Sequence, residues 1–560
     1  MTSLSRRHFL RLLAGTSTFP LISSCKHSSE GVRQFDIPGQ IVNPHIPGHL
    51  VRARHTLDNL PPPKKPIYDV IIVGGGVSGL SAAWKLQKAG VENLLVLEQA
   101  EELGGTAIAG SVNGTAFPWG AHYINIPPAE ADCIQEVLED LGVITGYDNR
   151  GQPRIAPQHL LQSPKERLFI NKEWVEELDP FSGANRAEIQ ILQAFEDDML
   201  RWTLDKGPDR RRAFAMPLHY SSQAPHIRQL DNITMEAYLR SRQWHCRKLD
   251  WLVNYACRDD YGGTIDTVSA WAGIHYFACR FYDERFQDRY PSDTLTWSQG
   301  NAFLVDGLAS RLRPEQYQTQ SLVLRLEQNS NDVDLVCLNV ASGTYQCLKG
   351  KAVVFAAKQH MAPHIILDLP APQRHAMAAC TYSPWLVAAI HVKHIPDDPL
   401  VPVAWDNVLY HSPSSGYIVA NHQERGIGNN TPSVLVYYRP FVHDVDAARR
   451  NLHKHDHRYW VNQIMTDLTQ AHPNLEAVVE RIDIYRWGHA MIRPVPGTIW
   501  GQASQWRQKP FGAIFFASCD ATGLPLFEEA CFAGIRAAEL AMNHLIVSFQ
   551  SSLRGLDTQA

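Results

Sequence analysis

The chain of 560 residues is 44% apolar and 19% charged, so it is long enough to bury a large core and we expect more than one domain. Its formal charge of −5 at pH 7 provides no cationic bias for a polyanion, which argues against nucleic acid as a partner. The ten cysteines include no CxxC pair and no Cys/His group at zinc spacing, so the sequence predicts no metal site.

Residues 1–25 have the features of an export signal. Residues 5–10, SRRHFL, resemble a twin-arginine motif. The weakly apolar stretch at 9–22 is too short and too polar to span a bilayer as a stable helix. We therefore predict export by the twin-arginine route to the periplasm, with a basic disordered tail as the alternative.

Residues 22–25, ISSC, resemble a lipobox, in which Cys25 would become the lipidated first residue of the mature protein. Lipidation, which would anchor the protein to a membrane, and ordinary cleavage both stay open. Residues 26–66 are rich in proline, glycine and polar residues, a composition that predicts a linker to the first strand.

Residues 68–106 follow the order strand, glycine loop, helix, strand, acid. A β-branched apolar run at 68–73 predicts a buried parallel strand. The loop GGGVSG follows at 74–79, and apolar residues at helical spacing continue to the stop signal at Gly90. A second strand at 94–97 then leads into Glu98.

This spacing predicts a dinucleotide site, because each glycine has a separate task. Gly74 permits the tight turn, Gly76 lets backbone N–H groups approach a pyrophosphate, and Gly79 lets the helix pack closely on the strand. Glu98 is placed to accept a hydrogen bond from a ribose hydroxyl. A glycine turn alone would be a weak signal, but here its full context is present. The predicted site residues are Gly74, Gly76, Val77, Ser78, Gly79, Glu98 and Gln99.

A second glycine pair, Gly104-Gly105, follows a few residues later. Together with the first loop it resembles the two-dinucleotide-binding signature of FAD enzymes, in the superfamily of flavin amine oxidases, protoporphyrinogen oxidases and phytoene desaturases. The resemblance implies FAD and an α/β fold, in which a Rossmann-type FAD-binding domain is interleaved with an α+β substrate domain. Thr106 replaces the usual arginine, which weakens one cofactor contact without abolishing the site.

The resemblance also divides the chain. FAD-binding parts are expected at 67–125, 296–370 and 501–546, a mainly helical insertion at 126–295, a substrate-domain sheet at 371–500 and a tail at 547–560. Within the insertion, residues 235–254 have the pattern of one helix. The adjacent carboxylates Asp259 and Asp260 suggest acid/base chemistry, although such pairs on turns are more often solvated or capping.

Further site residues come from the same resemblance. Val323, on a strand at 322–326, is the candidate adenine contact. Asp520 ends a buried strand at 512–520 and would contact the ribityl or pyrophosphate region, with a turn or cap role as the alternative. A helix at 527–543 would direct the positive end of its dipole at the flavin pyrimidine.

Two residues are candidates for the catalytic centre. The segment 114–123 resembles the one that runs past the flavin ring, so His122 would project toward the active site. Trp487 would flank the flavin. For each, a purely structural role is the alternative, because buried histidine and tryptophan residues need no functional reason.

The sequence therefore predicts an exported FAD-dependent oxidoreductase of the amine oxidase type, which oxidises a small molecule by hydride transfer to flavin N5 and passes electrons to oxygen or another acceptor. No cysteine lies in 487–497 and no lysine in 385–389, so FAD should be noncovalent and the lysine of many amine oxidases is missing. A desaturase or dehydrogenase of an apolar or isoprenoid-like substrate and a non-catalytic flavin-binding partner protein are the alternatives.

Overall fold

A computed structural model describes residues 34–43, 47–56, 67–149, 151–280, 294–396, 400–424 and 431–553, without the side chains of 52–56. The predicted export motif and Cys25 lie outside the described residues. Of the helices in these ranges, none has both the length and the hydropathy that a bilayer crossing needs.

The described chain contains runs of successive strands and runs of successive helices. The strands are β1 (Tyr68–Val73), β2 (Leu94–Leu97), β3 (Ala109–Val112), β4 (Thr115–Pro118), β5 (Tyr123–Asn125), β6 (Ile144–Tyr147), β7 (Pro153–Ile155), β8 (Glu166–Ile170), β9 (Glu173–Glu176), β10 (Thr294–Thr296), β11 (Tyr317–Gln318), β12 (Ser321–Gln328), β13 (Val333–Asn339), β14 (Tyr345–Phe355), β15 (Tyr382–Val392), β16 (Asp406–Leu409), β17 (Gly416–Val419), β18 (Ser433–Pro440), β19 (Val479–Ile492) and β20 (Ile514–Phe516). The helices are α1 (Val77–Lys88), α2 (Asp132–Asp140), α3 (Arg186–Leu204), α4 (Pro225–Arg228), α5 (Met235–Ser241), α6 (Arg247–Tyr261), α7 (Ala270–Ala278), α8 (Ala302–Ala309), α9 (Ala362–Ile365), α10 (Ala371–Ala378), α11 (Val445–Lys454), α12 (His457–Leu468), α13 (Leu475–Val478), α14 (Gln502–Gln508) and α15 (Phe527–His544).

The first sheet has the strand order β11-β2-β1-β14-β13-β12, with β20 also paired to β14. Strands β11, β2, β1, β14 and β20 run parallel, whereas β12, β13 and β14 form an antiparallel meander. Parallel strands covered on both faces read as continuous apolar runs, and the four residues of β2 are all buried. The predicted strand-loop-helix-strand unit is confirmed, and the strand predicted at 322–326 lies within β12.

Helix α15 packs across α1 on this sheet, and a glycine permits the contact. A Cβ atom added at Gly534 would lie 2.1 Å from the carbonyl oxygen of Ser78. Further along the two helices, buried Lys85 and Glu539 form an ion pair of 3.3 Å. The C-terminal helix is thereby fixed against the helix that follows the glycine loop.

The second sheet has the order β19-β15-β18-β17-β16-β8-β9. Its long strands β15, β18 and β19 all lie within residues 371–500, where the substrate-domain sheet was predicted. Strands β8 and β9 come from the segment that was predicted as mainly helical, so that segment also contributes to the sheet.

Two expectations about local structure are wrong. Residues 235–254 form no single helix, because the chain leaves α5 at Arg242, takes a left-handed φ of 59° at Gln243 and restarts at α6. Residues 34–43 and 47–51 are no free tether either, although they fall in the predicted linker. Phe35 is buried among residues of the second sheet, and Val51 is buried against the first.

We expect Gly534→Ala to lower the free energy of unfolding by about 1–3 kcal/mol, because the added methyl group meets the backbone of α1. Helix propensity alone would act in the opposite direction, by about 1 kcal/mol in favour of alanine. Denaturant unfolding of the variant and the wild type shows whether the free energy of unfolding falls or rises. An unchanged or raised stability would show that the two helices do not pack as described.

Candidate cofactor and substrate site

The glycine loop between β1 and α1 is shaped by contacts that leave no room for side chains. Gly74 has a φ of 107° and would place a Cβ 3.0 Å from the backbone of Ala356. A Cβ at Gly79 would lie 1.9 Å from the carbonyl oxygen of Gly74. The tight turn and the close packing of α1 that the sequence predicts are therefore both present.

The second glycine pair lies directly against this loop. The Gly104 N–H donates to the carbonyl oxygen of Gly75 at 2.8 Å, and Gly76 and Gly104 form a parallel bridge. A Cβ at Gly76 would be 3.6 Å from the Cα of Gly105. The two turns therefore pack against each other through their backbones, beside the start of α1.

The start of α1 leaves its first-turn N–H groups available to an anion. Gly76 is the residue that caps this helix, and no side chain accepts from the first turn. The N–H groups of Val77 and Ser78 belong to that turn and have no partner within the helix. An uncapped helix start with its positive dipole end is the usual donor set for phosphate, so the residues present fit a dinucleotide.

Glu98 lies at the end of β2, beside the same loop. Its Oε2 accepts from the Gly75 N–H at 2.8 Å and its Oε1 from the Ala100 N–H at 2.9 Å. Burial raises the pKa of the carboxyl, and these backbone bonds act against that rise. The Ser321 N–H donates to the Glu98 carbonyl oxygen at 2.7 Å, so β12 begins beside the acid.

The contact between Ser321 and Glu98 places the residues predicted to bind adenosine close to one another. Val323 is buried on β12, two residues after Ser321, and Gln99 is exposed next to Glu98. Val323, Gln99 and the glycine loops therefore border one region at the carboxyl ends of the parallel strands. Their contacts with a cofactor stay predictions.

Asp520 is fully buried after β20, and its described contacts are with the protein. Its Oδ2 accepts from the hydroxyl of Tyr382 at 2.6 Å and from the backbone N–H of Gln359 at 2.9 Å. These bonds join the first sheet to the start of β15. Sequence reasoning did not single out Tyr382 or Gln359, because nothing in the sequence pairs them with Asp520.

Thr106 and the segment around Gly120 approach each other through their backbones. The Ala121 N–H donates to the Thr106 carbonyl oxygen at 3.0 Å. A Cβ at Gly120 would lie 2.1 Å from that oxygen. The segment that was predicted to run past the flavin ring is thus held against the second glycine turn.

His122 belongs to an aromatic wall between this segment and the second sheet. Its ring stacks on Tyr438 with centroids 4.6 Å apart and lies 5.5 Å from Trp405 and 5.2 Å from Tyr123. The Tyr438 hydroxyl donates to the Gly120 carbonyl oxygen at 3.0 Å. We call these four rings the aromatic wall: His122, Tyr123, Trp405 and Tyr438.

Trp487 lies near the same segment, and its indole N–H donates to the carbonyl oxygen of Trp119 at 2.6 Å. Its ring stacks on Tyr485 with centroids 4.3 Å apart. Burial raises the pKa of Tyr485 to about 12, and the charges of Glu102 and Glu98 add to the rise. Trp487 therefore lies close to the predicted cofactor region, while any catalytic role stays a prediction.

Acidic residues lie close to the aromatic wall, although the sequence favoured a solvated or capping role for Asp259 and Asp260. Asp260 forms a buried ion pair with Arg280 and accepts from the Tyr123 hydroxyl at 3.3 Å. Burial raises the pKa of Tyr438 well above its usual value, and the charges of Asp259 and Asp406 contribute to the rise. The sequence could not identify Asp406 as a site residue, because a single aspartate in an apolar strand belongs to no recognisable motif.

The first turn of α15 carries two buried carboxyls, Glu528 and Glu529. Burial raises the pKa of both, that of Glu529 to about 7. One Glu529 oxygen accepts from the Leu218 N–H. The predicted positive helix end at this position is therefore accompanied by two ionisable acids, which the sequence analysis overlooked.

The match to a family model identifies the chain. The model described as flavin containing amine oxidoreductase covers residues 77–542. The chain belongs to this family. Membership makes the protein a flavin-dependent oxidoreductase and confirms the predicted enzyme class.

A Baeyer–Villiger monooxygenase of Stachybotrys chlorohalonatus is 24% identical to the chain over 212 residues, which are 37% of this chain and 29% of that protein. The chain thus spans less than a third of that curated relative's length.

Solved structures of amine oxidases match the fold over most of this chain. A single mutant of putrescine oxidase has a TM-score of 0.64 at 15% identity, over 86% of this chain and 100% of the other. Cyclohexylamine oxidase from Brevibacterium oxydans has a TM-score of 0.61 at 16% identity, over 86% and 100%. These likenesses confirm the predicted fold class, a Rossmann-type domain interleaved with an α+β substrate domain.

Glu529 predicts a pH dependence of stability. Its pKa is raised in the folded protein, so between about pH 4.5 and 7 the folded state binds more protons than the unfolded state and stability falls as pH rises. Glu529→Gln removes this loss, and we expect its stability relative to the wild type to rise by about 1–3 kcal/mol from pH 5 to pH 8.

Denaturant unfolding at the two pH values measures this difference. Glu480→Gln, at an exposed position on β19, is the matched control and should leave the pH dependence unchanged. A Glu529→Gln variant with the wild-type pH dependence would contradict the burial of an ionisable Glu529.

Proposed function

We propose that the protein binds FAD noncovalently and oxidises a small-molecule amine. The observation that carries the proposal is the pair of glycine turns that pack together at the start of α1. These turns lie beside the aromatic wall, where the charges of Asp259 and Asp406 act on Tyr438. The family and its amine oxidase neighbours support the reaction class. When bound, the flavin ring accepts a hydride from the substrate, and oxygen or another acceptor takes the electrons afterwards.

The chain's own residues would hold the cofactor at several points. The N–H groups at the start of α1 would bind the pyrophosphate, and Glu98 would accept from the adenosine ribose. Val323 would contact the adenine, and the segment around Asp520 the ribityl chain. With no cysteine in 487–497, the chain has no thiol there for a thioether link to the flavin.

The aromatic wall favours an amine over an apolar substrate. Aromatic faces attract an alkylammonium ion, and nearby carboxylates increase the negative potential at those faces. Asp259 and Asp406 act on Tyr438 in this way, since their charges raise the pKa of its hydroxyl further. A hydrocarbon substrate would gain nothing from either carboxylate.

The wall would also position the reacting carbon and exclude water. Tyr438 stacks on His122 and is anchored by its hydroxyl to Gly120, so both rings are fixed before substrate binds. A fixed apolar surface lowers the cost of orienting a flexible amine. His122 and Trp487 are proposed as residues that border the reacting atoms.

We further propose that the protein acts outside the cytoplasm. The support is the resemblance of residues 5–10 to a twin-arginine motif and of residues 22–25 to a lipobox. Export of the folded protein would let FAD be bound before secretion, and lipidation of Cys25 would anchor the enzyme to a membrane.

The first experiment is an anaerobic visible spectrum of the purified mature protein, titrated with mono-, di- and polyamines. We expect the two flavin absorption bands, release of free FAD on denaturation and bleaching by at least one amine. Protein without flavin after addition of FAD would contradict the proposal. Bound flavin that responds to an unsaturated lipid or isoprenoid instead would establish the desaturase alternative.

A substitution at Gly76 tests the glycine turns themselves. Its φ of −81° suits any residue and the nearest atom to an added Cβ is 3.6 Å away, so the protein should fold normally as Gly76→Ala. The added methyl group would occupy space needed by the pyrophosphate, and we expect FAD affinity to fall about tenfold or more. Fluorescence titration of the flavin-free protein measures it, and unchanged affinity would place the pyrophosphate elsewhere.

A further inference from the structure

The described N-terminal residues form an ordered connection between the two sheets. We call residues 34–43 and 47–51 the N-terminal strap. Its first half lies along β19 of the second sheet, and its second half lies on the first sheet. No family resemblance in the sequence covers these residues.

The first half of the strap pairs with the edge of the second sheet through a parallel bridge between Ile41 and Ile484. The Ile482 N–H donates to the Pro38 carbonyl oxygen and the Ile484 N–H to that of Gln40, both at 2.9 Å. The Val42 N–H donates back to Ile484 at 2.8 Å. These ladder bonds cover an otherwise open sheet edge.

Side chains fix the register of this half. Asn43 bonds the backbone of Arg486 twice, donating at 2.8 Å and accepting at 2.9 Å. Gly39 has a φ of 147°, and a Cβ there would lie 1.7 Å from the Ile482 carbonyl oxygen. The strap can therefore lie this close to β19 only with glycine at position 39.

The second half crosses to the predicted adenosine end of the cofactor site. Residues 47–56 form a 3₁₀ helix that packs against β12 and α9, and Val51 is buried in the same core cluster as Val323. A Cβ at Gly48 would be 3.3 Å from the Oε1 of Gln99, which directly follows Glu98. The strap thus passes over the residues assigned to the ribose and the adenine.

We infer that the N-terminal strap is the outer wall of the adenosine subsite and retains the dinucleotide by tying the second sheet to the first. The inference rests on the proposed binding of FAD. Release of the cofactor would then require the strap to leave β19 or β12. Because one half is bound to each sheet, weakening either attachment should speed release.

The test compares two Gly→Ala variants of the full mature protein. Gly39→Ala adds a methyl group against β19, whereas Gly343→Ala adds one at a φ of 69° with nothing within 4 Å. Both variants carry backbone strain, but only the first displaces the strap. We expect FAD to dissociate about tenfold faster from Gly39→Ala than from the wild type or Gly343→Ala, as the strap's ladder bonds are lost.

Flavin fluorescence after dilution into an excess of a different FAD-binding apoprotein, as a trap for free FAD, measures dissociation without any turnover. The unfolding midpoint of the flavin-free protein, measured for both variants, shows how much each substitution destabilises the fold as a whole. If Gly39→Ala does not fold, Asn43→Ala is tested in its place, because it removes only the two hydrogen bonds to Arg486. We expect this variant to release FAD about threefold faster than the wild type.

The outcomes separate this inference from the function on which it rests. A wild type that binds no flavin overturns both. A wild type that holds FAD, with Gly39→Ala or its substitute Asn43→Ala releasing it at the same rate, overturns the strap alone. Faster release from Gly343→Ala to the same extent would also overturn it, because that effect would come from backbone strain.

Discussion

Close backbone contact at the glycine turns is the constraint on which the rest of the structure depends. Gly79 lets α1 lie against the turn at Gly74, and α1 in turn receives α15 at Gly534, where a side chain would meet backbone. Each contact costs conformational entropy, because glycine is the most flexible residue in the unfolded chain. In exchange, glycine adds no side chain at these turns beside the backbone N–H groups that start α1, the kind of donor that a pyrophosphate requires.

Electrostatics divides this site into two regions. The start of α1 offers unpaired N–H groups and a positive dipole end, which suit phosphate. Around the aromatic wall the charges are mainly negative, with Asp259 and Asp406 acting on Tyr438. Nearby, Arg280 neutralises the buried Asp260, which accepts from the Tyr123 hydroxyl of the wall.

The sequence predicted the first sheet well and the substrate region less well. The unit from 68 to 98 was readable because strand, turn and helix each leave a local pattern of apolar residues and glycines. The break between α5 and α6 was missed, since apolar spacing continues across Gln243 although the backbone there is left-handed. The strap was predicted to be a linker, because its hydrogen-bond partners lie more than 400 residues away in the sequence. One of them is Asn462 on α12, which accepts from the Phe35 N–H.

The sequence by itself determined the strand-loop-helix-strand unit at 68–98, with its glycine turn and the acid after β2, because short-range periodicity and conformational preference fix these within a few residues. Only the tertiary structure decided which distant residues meet: the rings of His122 and Tyr438, the side chains of Asp520 and Tyr382, and the Asn43 amide with the backbone of Arg486. An apolar or aromatic residue in a strand shows that it will be buried, but its partner depends on the order and register of strands that fold together from remote parts of the chain.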